Sequence, residues 1–456
     1  MRFSALDGRA VGVWGLGREI RSFARHVADR LPAARIAVVV LDDPEGQELP
    51  EELAGVPVAG PGAAAVEALG ACDVVVRSPG VSIHRDELRT LAARGVPHVT
   101  ATGLWVAERA GRRTIGITGT KGKSTTATAG AHLLRAAGER VELAGNIGRP
   151  ALDLLDADPE TWAVVELSSY QIADLAHGTQ VAVMTNLYSE HVDWHGSAEN
   201  YRREKLRLLA MPGVEACVLR PADAEAVAAA SKTARRFPFE TPEGWHVTED
   251  GGLARGLVSQ APHLAAADLP LRGRHNAANL CAALTAVEAA GVALPDDLPQ
   301  ALRGLEPLPH RLQTVLTTAG GVDWVDDSIS TTPESTLAAL EAFAQRAVVL
   351  IAGGSDREQD FAQLAAELAR RPDVTLLGVP LTGDRLLAAA RAAGVPDDRA
   401  IACDDLEAAV AQAHARATSG AAVLLSPAAP SYHAYRDFIA RGTHFRALAE
   451  RVTAGA

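Results

Sequence analysis

The sequence predicts an α/β protein of three domains, and three observations carry that prediction. Apolar, strand-like runs alternate with Ala/Leu/Arg-rich helical stretches along the chain. At 456 residues it exceeds what one hydrophobic core usually organises. The run TIGITGTKGKSTT, Thr114 to Thr126, sets strand, glycine loop and helix in the order a phosphate-binding loop requires.

The first segment, 1–107, carries the apolar runs VGVWGLG (11–17), IAVVVLDD (36–43) and DVVVRSPG (73–80), separated by helical stretches, so a small βαβ domain is expected. GLGREI (15–20) approaches a dinucleotide fingerprint, but Ile20 stands where the third glycine belongs, which makes it weak evidence for nicotinamide binding.

The second segment, 108–306, is built around the glycine loop. Gly119 and Gly122 let successive backbone N–H groups converge on phosphate oxygens, with Thr120 and Lys121 between them. Lys123 supplies charge, and Ser124 or Thr125 can hold a magnesium ion. Ala127, Leu133 and Leu134 recur at spacings one helix can bury, and Gly138 is a natural stop.

Glu166 closes the apolar run WAVVE and leads into Ser168, Ser169 and Gln171; it reads as a magnesium ligand or as a carboxylate at a solvated strand end. Asn186, Glu190, His191, Asp193 and His195 crowd the loop after VAVMT. Among them His191 is the preferred metal or substrate contact, against a structural histidine. Lys205 lies one helical turn after Tyr201 and by pattern alone is a surface lysine. Arg272, Arg274, His275, Asn276 and Asn279 suit phosphate and adenine contacts, or helix capping by an asparagine.

The third segment, 307–456, follows the proline-marked LEPLPHRLQ (305–313). The α/β pattern restarts there with DWVDDSISTTPEST, AVVLIAGG, VTLLGV and AAVLLSPAAPS, and a further α/β sheet is expected.

Composition narrows the function classes. A net charge of -12 without a basic, aromatic-interleaved stripe opposes nucleic-acid binding. Hydrophobic content is 48%, yet no apolar run is long enough to span a membrane. The start lacks the features of a signal peptide, so a cytoplasmic protein is expected. Cys72, Cys217, Cys281 and Cys403 are scattered, as buried thiols in a reducing compartment would be, and do not have zinc or redox spacing.

GTKGKSTT, ELSSYQ, EHVDWHG followed by Lys205, GRHNAANL, PHRLQ, DDS and LLSPAAPS occur in this order, and together they resemble the Mur ligases that build the peptidoglycan stem peptide. Within that family the chain is similar to the branch that adds glutamate to UDP-N-acetylmuramoyl-L-alanine using ATP and magnesium. The resemblance implies a Rossmann-like UDP-binding domain, a P-loop ATP-binding domain with a mostly parallel sheet, and a C-terminal Rossmann-like domain that receives glutamate. It implies that Lys123 and Ser124 contact the triphosphate and its magnesium, and that Glu166 and His191 hold a second ion. Lys205 matches a lysine that becomes carbamylated and supports that ion. Asn276, Asn279, Arg311 and Asp327 match nucleotide contacts. Ser78, Gly80 and Asn146 match the UDP-sugar side, Ser168 a substrate contact, and Thr331, Arg357, Ser431 and Phe438 the amino-acid site. A monomer is expected.

The chain departs from the D-glutamate-adding pattern. Those relatives carry a DSKATN-like stretch, whereas Asp327 and Ser328 are followed here by Ile329, which replaces a pocket lysine. Arg357 stands where relatives use lysine and could replace that cation. DSISTTP, GREI and PEGWH (242–246) resemble an L-glutamate-adding variant, which makes L-glutamate the expected acceptor and D-glutamate the alternative. A P-loop switch protein is the competing reading from another class, but no NKxD-like base reader is present. A folylpolyglutamate synthase shares the P-loop module but not a UDP-type first domain.

Overall fold

The computed structural model describes residues 1–44, 47–110, 112–188, 192–256 and 263–454. Strands β1 (Ala10–Trp14), β2 (Arg35–Val40), β3 (Val58–Ala59), β4 (Val74–Arg77) and β5 (His98–Val99) form a parallel sheet in the order β3-β2-β1-β4-β5. Val13 packs with Val39 and Val76 in one apolar cluster and Trp14 with Val38, Val40 and Val75 in another, so the central strand is apolar on both faces.

A second parallel sheet, in the order β11-β10-β9-β6-β8-β7, joins β6 (Thr114–Thr118), β7 (Val141–Gly145), β8 (Trp162–Glu166), β9 (Val181–Met184), β10 (Ala216–Leu219) and β11 (Arg235–Pro238). β6 and β8 are buried at every position, which explains why their sequences read as continuous apolar runs without alternation. β12 (Trp245–Val247), β13 (Leu253–Arg255) and β14 (His263–Leu264) add a small antiparallel sheet.

The last sheet has the order β15-β16-β20-β17-β18-β19, from β15 (Gln313–Thr317), β16 (Asp323–Asp326), β17 (Val348–Ala352), β18 (Val374–Gly378), β19 (Ala400–Ala402) and β20 (Ala422–Leu425). Only the β15–β16 pair in it is antiparallel.

The chain forms two compact units, one of Met1–Leu269 and Ala278–Arg303, the other of Pro270–Ala277 and Gly304–Ala456. The first unit takes in both parallel sheets, and the helix Ala101–Arg109 shows why. Its residues from Ala101 to Ala107 are all buried, and Leu104 and Trp105 belong to one apolar cluster with Val13 and Val76 of the first sheet and Val165 and Ala182 of the second. Among the described residues no helix is long and apolar enough to cross a membrane. All four cysteines are buried, and burial pushes the Cys217 thiol up to about 11.

Candidate functional site

The glycine loop follows β6 and enters the helix Lys123–Ala136, which Gly122 caps. Gly122 has φ +81°, and a Cβ there would stand 2.1 Å from Asn279 Oδ1; one at Gly119 would stand 1.9 Å from Thr185 Oγ1. Both positions therefore require glycine for close approach, besides the open N–H groups a phosphate needs.

The loop is held from the neighbouring strand end. Thr120 N donates to Asn186 O at 3.0 Å, Lys121 N to Asn186 Oδ1 at 2.8 Å, and Thr185 Oγ1 to Lys121 O at 2.7 Å. Lys123 folds its amine back onto Thr120 O at 3.0 Å. Ser124 Oγ donates to Glu166 Oε2 at 2.6 Å, and Asn146 Nδ2 donates to Glu166 Oε1 at 2.9 Å. Glu166 is buried, not at a solvated strand end, and Thr125 is buried as well, leaving Ser124 as the hydroxyl beside the carboxylate.

Lys205 corrects the surface reading of its helical pattern. It is 2% exposed, its Nζ donates to Gly119 O at 2.7 Å, and its ammonium lies 4.9 Å from the centroid of the Tyr201 ring. The helix Ala198–Arg207 lays the Tyr201/Lys205 face against the loop, and Tyr201 OH donates to Thr120 Oγ1 at 3.0 Å. A carbonyl and an aromatic face compensate the buried charge. His191 and Glu190 lie outside the described residues. His195 is buried 2.9 Å from Ser169 Oγ and packs against the Trp194 and Tyr201 rings, a structural placement.

A cleft of about 210 Å³ opens within the same unit, with Asn146 of the Glu166 pair on its wall. Ser78, Pro79 and Gly80 after β4, Gly145 and Asn146 from the end of β7, and Ser168 after β8 line it. It sits outside the carboxyl ends of the first sheet, where strand order reverses between β1 and β4. Ser168 also caps the helix Ser169–Ile172 through a capping box with Gln171.

Among the wall residues that sequence reasoning missed are Arg18, Glu19 and Tyr170. Arg18 donates to Gly148 O at 2.8 Å. Glu19 is buried, accepting from Gln171 Nε2 at 2.6 Å and Thr102 N at 3.1 Å, and burial raises its pKa. The GREI run was the available signal for Arg18 and Glu19. Gly15 and Gly17 serve approach of the Ser78 loop: a Cβ on either would stand 2.8 Å from Ser78 atoms, and Ile20 is in the core.

In the second unit the loops after β16, β20 and β17, three adjacent parallel strands, carry Asp327, Thr331, Ser431 and Arg357. Asp327 is buried, accepting from Ser426 Oγ at 2.8 Å and Leu312 N at 3.2 Å, and burial pushes its pKa to about 6. Arg311 places positive charge near both Asp327 and His275, whose pKa falls to about 4 chiefly through burial. Ser328 Oγ donates to Phe438 O at 2.8 Å, and buried Arg441 grips Ser328 O at 2.8 Å and Ala429 O at 3.0 Å. Ser431 is buried, Thr331 half-buried, and the exposed Arg357 guanidinium lies 5.5 Å from the centroid of the Tyr432 ring. Asn276, of the second unit, and Asn279, of the first, are buried inside the helix Arg274–Ala289, past its first residue, so neither is its N-cap.

Comparison with known proteins agrees along the whole chain. Residues 117–287 match the Mur ligase middle domain, and 310–429 match the Mur ligase glutamate ligase domain. A Xanthomonas oryzae pv. oryzae UDP-N-acetylmuramoyl-L-alanine--L-glutamate ligase is 41% identical, over 98% of this chain and 97% of that protein. A Micromonospora protein of the same name is 43% identical, over 100% and 99%. The crystal structure of Thermotoga maritima MurF ligase in complex with ADP shares the fold with a TM-score of 0.59 at 16% identity, over 100% of this chain and 97% of that one. With relatives this similar along its full length, the chain belongs to the Mur ligase family.

Proposed function

We propose that this chain is an ATP-dependent ligase that joins L-glutamate to UDP-N-acetylmuramoyl-L-alanine, releasing ADP and phosphate. The observation that carries the reading is the hydrogen-bonded line Ser124–Glu166–Asn146. It starts on the phosphate loop and ends on a wall of the cleft, so one carboxylate separates the nucleotide end from the muramyl end.

The chemistry answers to that geometry. A carboxylate is a poor acyl donor, and transfer of the γ-phosphoryl group to the alanyl carboxylate makes an acyl phosphate with a good leaving group. The glutamate amine then attacks, and the tetrahedral intermediate collapses to amide and phosphate. Lys123 and the N–H groups opening the helix Lys123–Ala136 would stabilise the charge developing on phosphoryl oxygens. Asn276, Asn279, Arg311 and Asp327 would contact the nucleotide.

The donor set fits magnesium: Ser124 and Glu166 offer hard oxygens, and among the described residues no cluster of three or more His, Cys, Asp or Glu forms a dedicated metal cage. Magnesium would screen the triphosphate there. The resemblance adds His191 and a carbamylated Lys205 to a second ion.

L-glutamate is favoured by the names of the relatives and by Ile329 standing where the D-adding pattern has lysine. Arg357 would meet the carboxylate of the incoming amino acid, with Thr331, Ser431 and Phe438 around it. The test supplies purified protein with ATP, magnesium, the muramyl nucleotide and each glutamate enantiomer, and follows ADP and amide together. Stoichiometric ADP and amide with L-glutamate support the reading. Amide with D-glutamate alone moves the specificity, and ADP release indifferent to the muramyl nucleotide would point to a nucleotide switch.

A further inference from the structure

We propose that Arg77, fixed by Asp174, is a positioning residue that shapes the cleft wall Ser78–Val81 for the muramyl nucleotide. The proposal rests on reading the cleft as the site of that substrate.

Arg77 ends β4 and is fully buried. Nε donates to Asp174 Oδ2 at 2.9 Å, an ion pair whose acid is 6% exposed. Nη1 shares its two hydrogens among the carbonyls of Val81 at 2.9 Å, Pro79 at 3.3 Å and Ser78 at 3.4 Å, and Nη2 donates to Tyr170 O at 2.8 Å. The one carbonyl of that stretch left over, Gly80 O, accepts from Trp194 Nε1 at 3.0 Å. Four successive carbonyls are thus committed to two side chains, and the residues bearing three of them line the cleft.

Tyr170, also on the cleft wall, is fixed twice. Arg77 holds its carbonyl, and its ring stacks on Trp194 with centroids 4.4 Å apart and planes at 20°. Ser82 Oγ closes the circuit onto Trp194 O at 2.8 Å. Burying a guanidinium is costly unless every donor is met, and only a planar fork can serve an acid and carbonyls from two segments at once. Lysine would keep the charge and lose the fork. β4 belongs to the first sheet, whereas Tyr170 and Asp174 follow β8 of the second, so one side chain sets the two walls against each other.

The experiment measures steady-state kinetics and calorimetric binding of UDP-N-acetylmuramoyl-L-alanine on the full chain carrying Arg77→Lys, Asp174→Asn or Trp194→Phe. Arg77→Lys is expected to raise KM for the muramyl nucleotide about tenfold or more, the loss of one or two hydrogen bonds from a charged group, with KM for ATP unchanged. Trp194→Phe keeps the stack, frees Gly80 O and is expected to raise the same KM several-fold at an unaltered melting temperature. It decides the matter if Arg77→Lys does not fold. An unchanged muramyl KM, or equal effects on both substrates, in a wild type that ligates normally overturns this inference alone. A wild type that neither binds nor ligates the muramyl nucleotide overturns the functional reading with it.

Discussion

The ε-amino group of Lys205 lies 2.7 Å from the carbonyl oxygen of Gly119, across 86 residues of sequence, so a buried ammonium holds the first glycine of the phosphate loop. Lys205→Ala should leave that carbonyl without its charged donor and cut ligation on the order of 100-fold, while costing about 1–3 kcal/mol of stability. If a carbamate on Lys205 is the working form, a short carboxylic acid should restore part of the rate. A flat response across concentrations would leave the amine itself as the working group.

Lys123 is half-buried beside Thr120 O, at the start of its helix. Lys123→Ala should lower turnover on the order of 100- to 1,000-fold, as for other charge-stabilising groups. Amide formed per unit time checks it, and near-normal turnover would refute the role.

The loop glycines give a stability test. Gly122→Ala must hold alanine at φ +81° and push against Asn279, for a cost of about 1–3 kcal/mol. Gly130→Ala, inside the same helix with nothing within 4 Å of the added carbon, should gain up to about 1 kcal/mol. Urea unfolding midpoints of the two variants should move in opposite directions.

Asp327 predicts a pH dependence of stability. Its pKa is raised from 3.8 to about 6, so the folded state holds the proton more tightly than the unfolded chain. The stabilisation is complete below about pH 4 and is lost as pH rises through about 6, by about 3 kcal/mol in all. Asp327→Asn should flatten that slope when urea midpoints are compared between pH 4 and 7. Parallel wild-type and variant curves would show that another group titrates.

Arg357 and Ile329 test the acceptor. Arg357→Ala should raise KM for L-glutamate about tenfold or more through loss of a charge-assisted bond, leaving KM for ATP in place. Ile329→Lys should weaken use of L-glutamate. Unchanged kinetics with both enantiomers would remove position 329 from the selection.

The strands around the site were legible because parallel strands buried on both faces leave apolar runs: VGVW, VVVR, TIGIT, WAVVE, VAVM, VVLIA and VLL all became strands. β12 to β14 were not legible, since antiparallel strands of two or three residues are too short for a period to show. The glycine loop declared itself through Gly119, Gly122 and Lys123. Lys205 did not, because a helical pattern shows which residues share a face and not what the face meets. Arg77 was passed over inside DVVVRSPG, its partner Asp174 lying 97 residues away.

The helix Ala101–Arg109, buried all round for most of its length, has a consequence for anyone recombining such enzymes. A crossover near residue 107 would pair a helix from one parent with a socket from another, and the mismatch would fall on Leu104 and Trp105. Chimeras should survive only when the graft carries that helix together with both of the surfaces that enclose it.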